Sequence, residues 1–245
     1  MKTITIFLLM LTVFGECVAQ DLKIAPVIGP NVTFGLLSKA AKDHYYEQYY
    51  EDFDITLKHK FPPGLRFQIG ALADYSINNS LSVQSGLLFN FRGFHTKLKA
   101  DFLDEDGVQQ SIRAKDKMSI TYLEIPIWLS YKLGETGFKL MMGPTIGFAI
   151  GGTERAKATY GGQTETDSQK ISIGNDPDID VVKPLDLSLN LGLTREILLG
   201  DKPLDVTLFA QPSISKWNVA APQNSEYFIR HFTAGIRVAY FFSLN

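Results

Sequence analysis

Nine ionisable side chains recur at alternate positions of otherwise polar rows: Arg66, Arg92, Lys132, Lys139 and Arg237, with Asp74, Glu124, Asp186 and Asp205. Charges spaced by two along an extended segment share one face of a strand, where they meet the rows of neighbouring strands. If that face is closed to water, the chemistry is ion pairing and hydrogen bonding in a low-dielectric core; a continuous file of such groups would instead carry protons or ions. The first reading makes Arg66, Asp74, Arg92, Glu124, Lys132, Lys139, Asp186 and Arg237 a structural polar network. It places Glu124 against at least one of Arg66, Arg92 or Arg237.

Other residue types offer weaker chemistry. The histidines, His44, His59, His95 and His231, sit in no recognisable catalytic motif. A hydrolase or acyltransferase at a barrel rim would need His231 or His95 beside a carboxylate and a hydroxyl; the sequence assigns no catalytic residue. Asp176, Asp178 and Asp180 have the spacing of calcium ligands, but Val181 and Pro177 break the EF-hand pattern, and a solvated acidic loop is the simpler reading. With no zinc spacing and no glycine-rich phosphate loop, the sequence implies no metal and no cofactor. Tyr45, Tyr46, Tyr49 and Tyr50 would form a stripe on a short helix: a candidate partner-binding loop, or a cluster packed over a barrel mouth.

The elements that must position these groups show a period of two. From 121 to 133, Thr121, Leu123, Ile125, Ile127, Leu129, Tyr131 and Leu133 fall on one face and Tyr122, Glu124, Pro126, Trp128, Ser130 and Lys132 on the other. Seven further segments alternate likewise, with apolar rows such as Ile24 to Leu36, Leu65 to Ile77, Leu81 to Phe91, Phe138 to Ile150, Leu185 to Leu193, Leu204 to Ile214 and Phe232 to Phe242. None of these rows carries a charge. The turns at 78–80, 134–137 and about 198–203 are short; the connections at about 38–63, 94–119, 153–183 and 216–229 are long. Eight strands with alternating short and long connections predict an all-β, eight-stranded antiparallel up-and-down transmembrane β-barrel, with both termini on the periplasmic side. Hairpin extensions are expected around Asp104–Gly107 and Gly161-Gly162. A soluble ligand-binding barrel is the alternative that alternation alone leaves open.

Residues 1–19 read as a signal peptide, with Lys2, an apolar run from Ile4 to Phe14, and cleavage after Ala19 or Gln20; residues 20–245 form the barrel domain. The sole cysteine, Cys17, lies in the leader, so the mature chain carries no disulfide. A formal net charge of −2 gives no overall field that would select nucleic acid or an anionic membrane surface.

The run Tyr122-Leu123-Glu124-Ile125-Pro126-Ile127-Trp128-Leu129-Ser130-Tyr131-Lys132, followed by Phe138 to Gly147 with Gly143-Pro144, resembles the PorT-like outer-membrane β-barrel family common in Bacteroidetes. Phe34-Gly35, Ser85-Gly86-Leu87, Asp186 to Gly192 and the aromatic-rich last strand extend the likeness. The resemblance implies an outer-membrane location, contact with outer-membrane lipid, and assembly by the barrel-insertion machinery. That machinery reads a terminal aromatic, and here Phe241-Phe242 precede Ser243-Leu244-Asn245. The residues themselves favour a non-enzymatic barrel that scaffolds or binds a protein partner through its long loops, and the family namesake's part in protein secretion adds a link to secretion as what the resemblance implies. A lipid-directed barrel enzyme is the rival reading.

Overall fold

The computed structural model describes residues 22–47, 56–103, 107–200, 202–219 and 227–243. In chain order the strands are β1 (Leu22–Leu37), β2 (Thr56–Lys60), β3 (Gly64–Ser76), β4 (Leu81–Arg92), β5 (His95–Leu103), β6 (Gln109–Lys132), β7 (Phe138–Tyr160), β8 (Gln163–Lys170), β9 (Leu185–Leu199), β10 (Lys202–Pro212), β11 (Ile229–Tyr240) and β12 (Phe242–Ser243). One helix, α1 (Lys39–Glu47), follows β1. Eight strands close into the antiparallel ring β1-β3-β4-β6-β7-β9-β10-β11, which returns to β1 through pairs such as Thr33↔Thr233. Closure leaves the ring without an edge. Residues 1–19, the expected signal peptide, lie outside the described residues.

Alternation sorts side chains the opposite way from a water-soluble barrel. Leu65 is 75% and Leu208 63% exposed on the outer wall, whereas Arg92, Glu124, Asn90 and Gln211 are 0% exposed inside. In water each fully exposed Leu-sized side chain forgoes about 1.5–3 kcal/mol of burial, so the whole wall is consistent only with an apolar surrounding. Aromatic residues bracket the wall. Phe34, Phe67, Phe91, Phe148 and Phe232 ring one end, with Phe34 stacked on Phe232 at 4.9 Å and Phe67 against Phe91 at 4.3 Å. Tyr75, Tyr131, Phe138, Tyr240 and Phe242 ring the other. Along β6, from Tyr131 to Thr121 (the partner of Phe91), the rise is about 33 Å, or about 23 Å of height at a 45° tilt, close to the apolar band of about 25 Å in outer-membrane barrels.

β6 has 24 residues, about 80 Å of extended chain, so roughly half of it projects past the aromatic ring at the long-loop end. There it pairs with β5 on one side and β7 on the other; β2 and β8 complete a sheet of order β2-β5-β6-β7-β8. The expected hairpin extensions are present. Gly161 and Gly162, with φ of 54° and 78°, make the two-residue turn between β7 and β8 that requires left-handed backbone. Residues 104–106 at the β5–β6 apex lie outside the described residues.

Candidate functional site

Four layers fill the ring, the one nearest the short turns being a polar layer around Asp74, Lys139 and Asp205. Next to it, Ala25, Val27, Leu72, Leu88, Trp128, Met141, Ala239 and Phe241 form an apolar cluster. At the long-loop mouth, Met118, Ile120, Tyr122 and Ile229 from the strands meet Phe94, between β4 and β5, and Ile171, Val182 and Trp217 from the loops. These loops are stitched across the opening by Lys183 N–H donating to the Trp217 carbonyl at 2.7 Å and by bridges joining Val182 to Ile173 and Asn218.

Between the apolar layers lies a buried polar one. Arg92 forms ion pairs with Glu124 and, at 2.6 Å, with Asp186, all three at most 1% exposed. Asn90 Nδ2 donates to both Glu124 oxygens at 3.1 and 3.2 Å, and Ser213 and Ser215 hydroxyls donate to Asp186 at 3.0 and 2.7 Å. Asn31 and Gln211 extend the layer to β1 and β10. The carboxylates are therefore both charge-paired and hydrogen-bonded, the condition under which buried charge is tolerated. Arg237, also buried, makes no ion pair among the described residues; its guanidinium lies 4.1 Å from the Trp128 ring and 4.5 Å from that of Phe209.

The eight residues expected to share one network thus separate by height. Arg92, Glu124 and Asp186 meet. Asp74 accepts from Ser82 and Gln84 near the short turns, and Lys139 pairs there with Asp205 and Glu196. Lys132 is exposed at that rim. Arg66 sits at the opposite end, its Nη2 donating to the Met118 carbonyl at 3.0 Å and 3.3 Å from His95 Nε2. Sequence reasoning missed the apolar plugs: Leu88, Met141 and Phe209 lie on inward parity, where apolar residues carry no signal, and Trp217 comes from a loop with no period.

A family model described as outer membrane protein beta-barrel domain matches residues 28–240. The chain belongs to that family. Among solved structures, those similar to this outer-membrane barrel include Ail, the attachment invasion locus protein of Yersinia pestis, at 14% identity over 91% of this chain and 99% of that one, with a TM-score of 0.36. Neisserial surface protein A matches at 11% identity over 89% and 97%, TM-score 0.34. The Escherichia coli outer membrane protease OmpT matches at 8% over 91% and 97%, TM-score 0.31. No curated protein matches the chain. Membership explains the inside-out wall: lipid is the solvent that the apolar rows meet.

The remaining candidates fall at the long-loop end of the outer-membrane barrel. His231 is fully buried, 3.4 Å from the Tyr122 hydroxyl and stacked on Trp217 at 5.4 Å. His95 is half-buried, and burial first, then Arg66, Lys117 and Lys97, hold its pKa below the ordinary histidine value. Asp176 and Asp180 spend carboxylate oxygens on backbone N–H groups of their own loop, at 3.0 Å from Asp178 N and 2.9 Å from Asp176 N. Helix α1 is capped by Ser38, whose hydroxyl accepts from Ala41 N–H and Phe228 N–H at 3.1 Å. Tyr45 and Tyr46 fall in this helix; Tyr49 and Tyr50 lie outside the described residues.

Proposed function

We propose that this chain is a non-enzymatic outer-membrane barrel that does not conduct, anchoring a binding surface built from its long-loop end. The observation that carries the reading is the lumen: a charge-paired layer at Arg92 held between two apolar plugs, with Trp217 over the mouth. A channel needs a continuous wet path, and a rim enzyme needs an accessible histidine beside a carboxylate and hydroxyl; His231 lies beneath Trp217. In this reading residues 1–19 are removed at export, the termini are periplasmic and the long-loop end faces outward. The Tyr45, Tyr46, Tyr49 and Tyr50 segment and the β2-β5-β6-β7-β8 sheet then present the surface for a partner, and a PorT-like link to secretion is the narrower form of the proposal.

Planar-bilayer recordings test the closed lumen. The wild-type barrel is expected to show no sustained conductance, and Trp217→Ala, which thins the mouth plug, to show brief openings. Sustained conductance from the wild type would replace the anchor with a pore. Labelling of Lys97 on intact cells by an impermeant amine reagent tests the orientation.

A further inference from the structure

The sheet beyond the aromatic ring sorts its charges by face. Register places Lys60, Lys97, Lys115 and Lys157 directly opposite one another across four adjacent strands. One step farther from the barrel, Lys58, Lys99 and Arg113 stand in a second row; one step nearer, Lys117 opposes Arg155. Residues opposite each other, or two apart on a strand, share a face, so these nine cations occupy one face. It continues the lipid-facing wall, because Lys117, Lys115 and Arg113 keep the parity of Leu123 and Thr121 on β6. Asp116, Glu154, Glu165 and Asp167 take the opposite parity, and Asp101, two along from Lys99 on β5, is the one carboxylate of these strands that shares the cationic face among the described residues.

Eight of the nine are exposed, and among the described residues Lys99 alone forms an ion pair, with Asp101 at 2.8 Å. Like charges directly opposite one another destabilise a sheet, so four lysines abreast are a cost that folding alone does not explain. The overall charge of −2 conceals the arrangement.

Height identifies the counter-charge. Lys117 is four residues beyond Thr121 on β6, about 13 Å of strand and about 9 Å above the aromatic ring at a 45° tilt; each further row adds about 5 Å. Cations at that height, facing sideways and not up, look onto the headgroup zone, and long basic side chains reach down into it. Strand spacing of about 4.8 Å sets neighbouring ammonium groups close enough for one phosphate to bridge two.

We propose that this wall clamps the multiply anionic, phosphate-bearing headgroups of lipids in the outer leaflet against the barrel. It rests on the outward orientation of the long-loop end proposed above; surface labelling decides that orientation and lipid retention decides the clamp. The full chain is refolded into phosphatidylcholine nanodiscs containing bisphosphorylated lipid A, extracted into detergent, and the lipid A retained per barrel is measured. The wild type is expected to retain it, to lose it in high salt, and to retain dephosphorylated lipid A about tenfold less. K60Q/K97Q/K115Q/K157Q is expected to lose most retention while keeping its heat-modifiable gel shift; K115Q/K157Q serves if the quadruple variant does not fold. Equal retention by wild type and variant would overturn the clamp. Tight binding of heparin without lipid A retention would reassign the wall to a soluble polyanion, and binding of neither would leave it without an anionic ligand; both outcomes reject the lipid assignment.

Discussion

Arg92 and Lys115 are two cations in the same barrel with opposite surroundings. Arg92, in the lumen, lies between Glu124 and Asp186; Lys115, on the outer wall of the sheet, lies between Lys97 and Lys157. Burial explains the first. Desolvating a guanidinium costs several kcal/mol unless opposite charge and hydrogen bonds replace water, so the lumen supplies two carboxylates and the amides and hydroxyls that hold them. Exposure permits the second, because water and salt screen the repulsion, but it does not require it. A lumen charge is thus there for the fold, whereas a row of unpaired wall charges points to something outside the fold.

Breaking the lumen pair has the largest expected effect. Arg92→Met leaves Glu124 and Asp186 facing each other without a cation and is expected to cost about 3–5 kcal/mol, read as a lowered urea midpoint of the barrel in phosphatidylcholine vesicles. Adding Glu124→Gln and Asp186→Asn is expected to recover more than half. If the triple variant is as unstable as the single one, shape and not charge governs the layer. Arg237→Met is the control inside the same lumen: among the described residues no carboxylate pairs with Arg237, and loss of its contacts with Trp128 and Phe209 and of its hydrogen bond to Gln68 trades against relief of a buried charge, so the same midpoint is expected to change by no more than about 1 kcal/mol.

On the wall the sign reverses. Lys115→Gln removes a cation from between two others and is expected to stabilise the barrel in neutral lipid at low salt, by at most about 1 kcal/mol. In 1 M salt, where screening acts within about 3 Å, the gain is expected to vanish. A destabilised Lys115→Gln would mean that the side chain packs, and the comparison with Arg92 would fail.

What the sequence made legible follows from what a period of two encodes. It reports which face a residue takes, so the lipid-facing rows, the inward parity of Glu124 and its contact with one of Arg66, Arg92 or Arg237 could be read from spacing, while only the structure picks out Arg92. It does not report height along the barrel axis, which is why Arg66 and Lys132 have inward parity yet lie at opposite rims. Gly161-Gly162 announced its hairpin because left-handed backbone favours glycine. The lysine row was invisible, since Lys60, Lys97, Lys115 and Lys157 come from four strands and only register unites them. The mouth plug was invisible for another reason: Trp217, Ile171 and Val182 belong to irregular loops, whose packing partners no local pattern specifies.

His95 joins the two regions and carries the smallest of the expected effects. It begins β5 opposite Lys117, with Arg66 from β3 3.3 Å from its Nε2 and Lys97 two residues along. Partial burial and these three cations depress its pKa in the folded barrel. A depressed histidine pKa means that the unfolded chain takes up the proton first, so the contribution to stability is present above the ordinary value of about 6.5 and is lost as the pH falls below it. The urea midpoint of wild type relative to His95→Gln is therefore expected to decline between about pH 7 and pH 5; parallel profiles would show that His95 does not sense the wall's charge. In membranes containing bisphosphorylated lipid A the decline should shrink, because phosphate beside Lys97 and Lys117 offsets the field that opposes protonation. An unchanged decline there would separate His95 from the lipid-facing cations and confine the field it senses to Arg66.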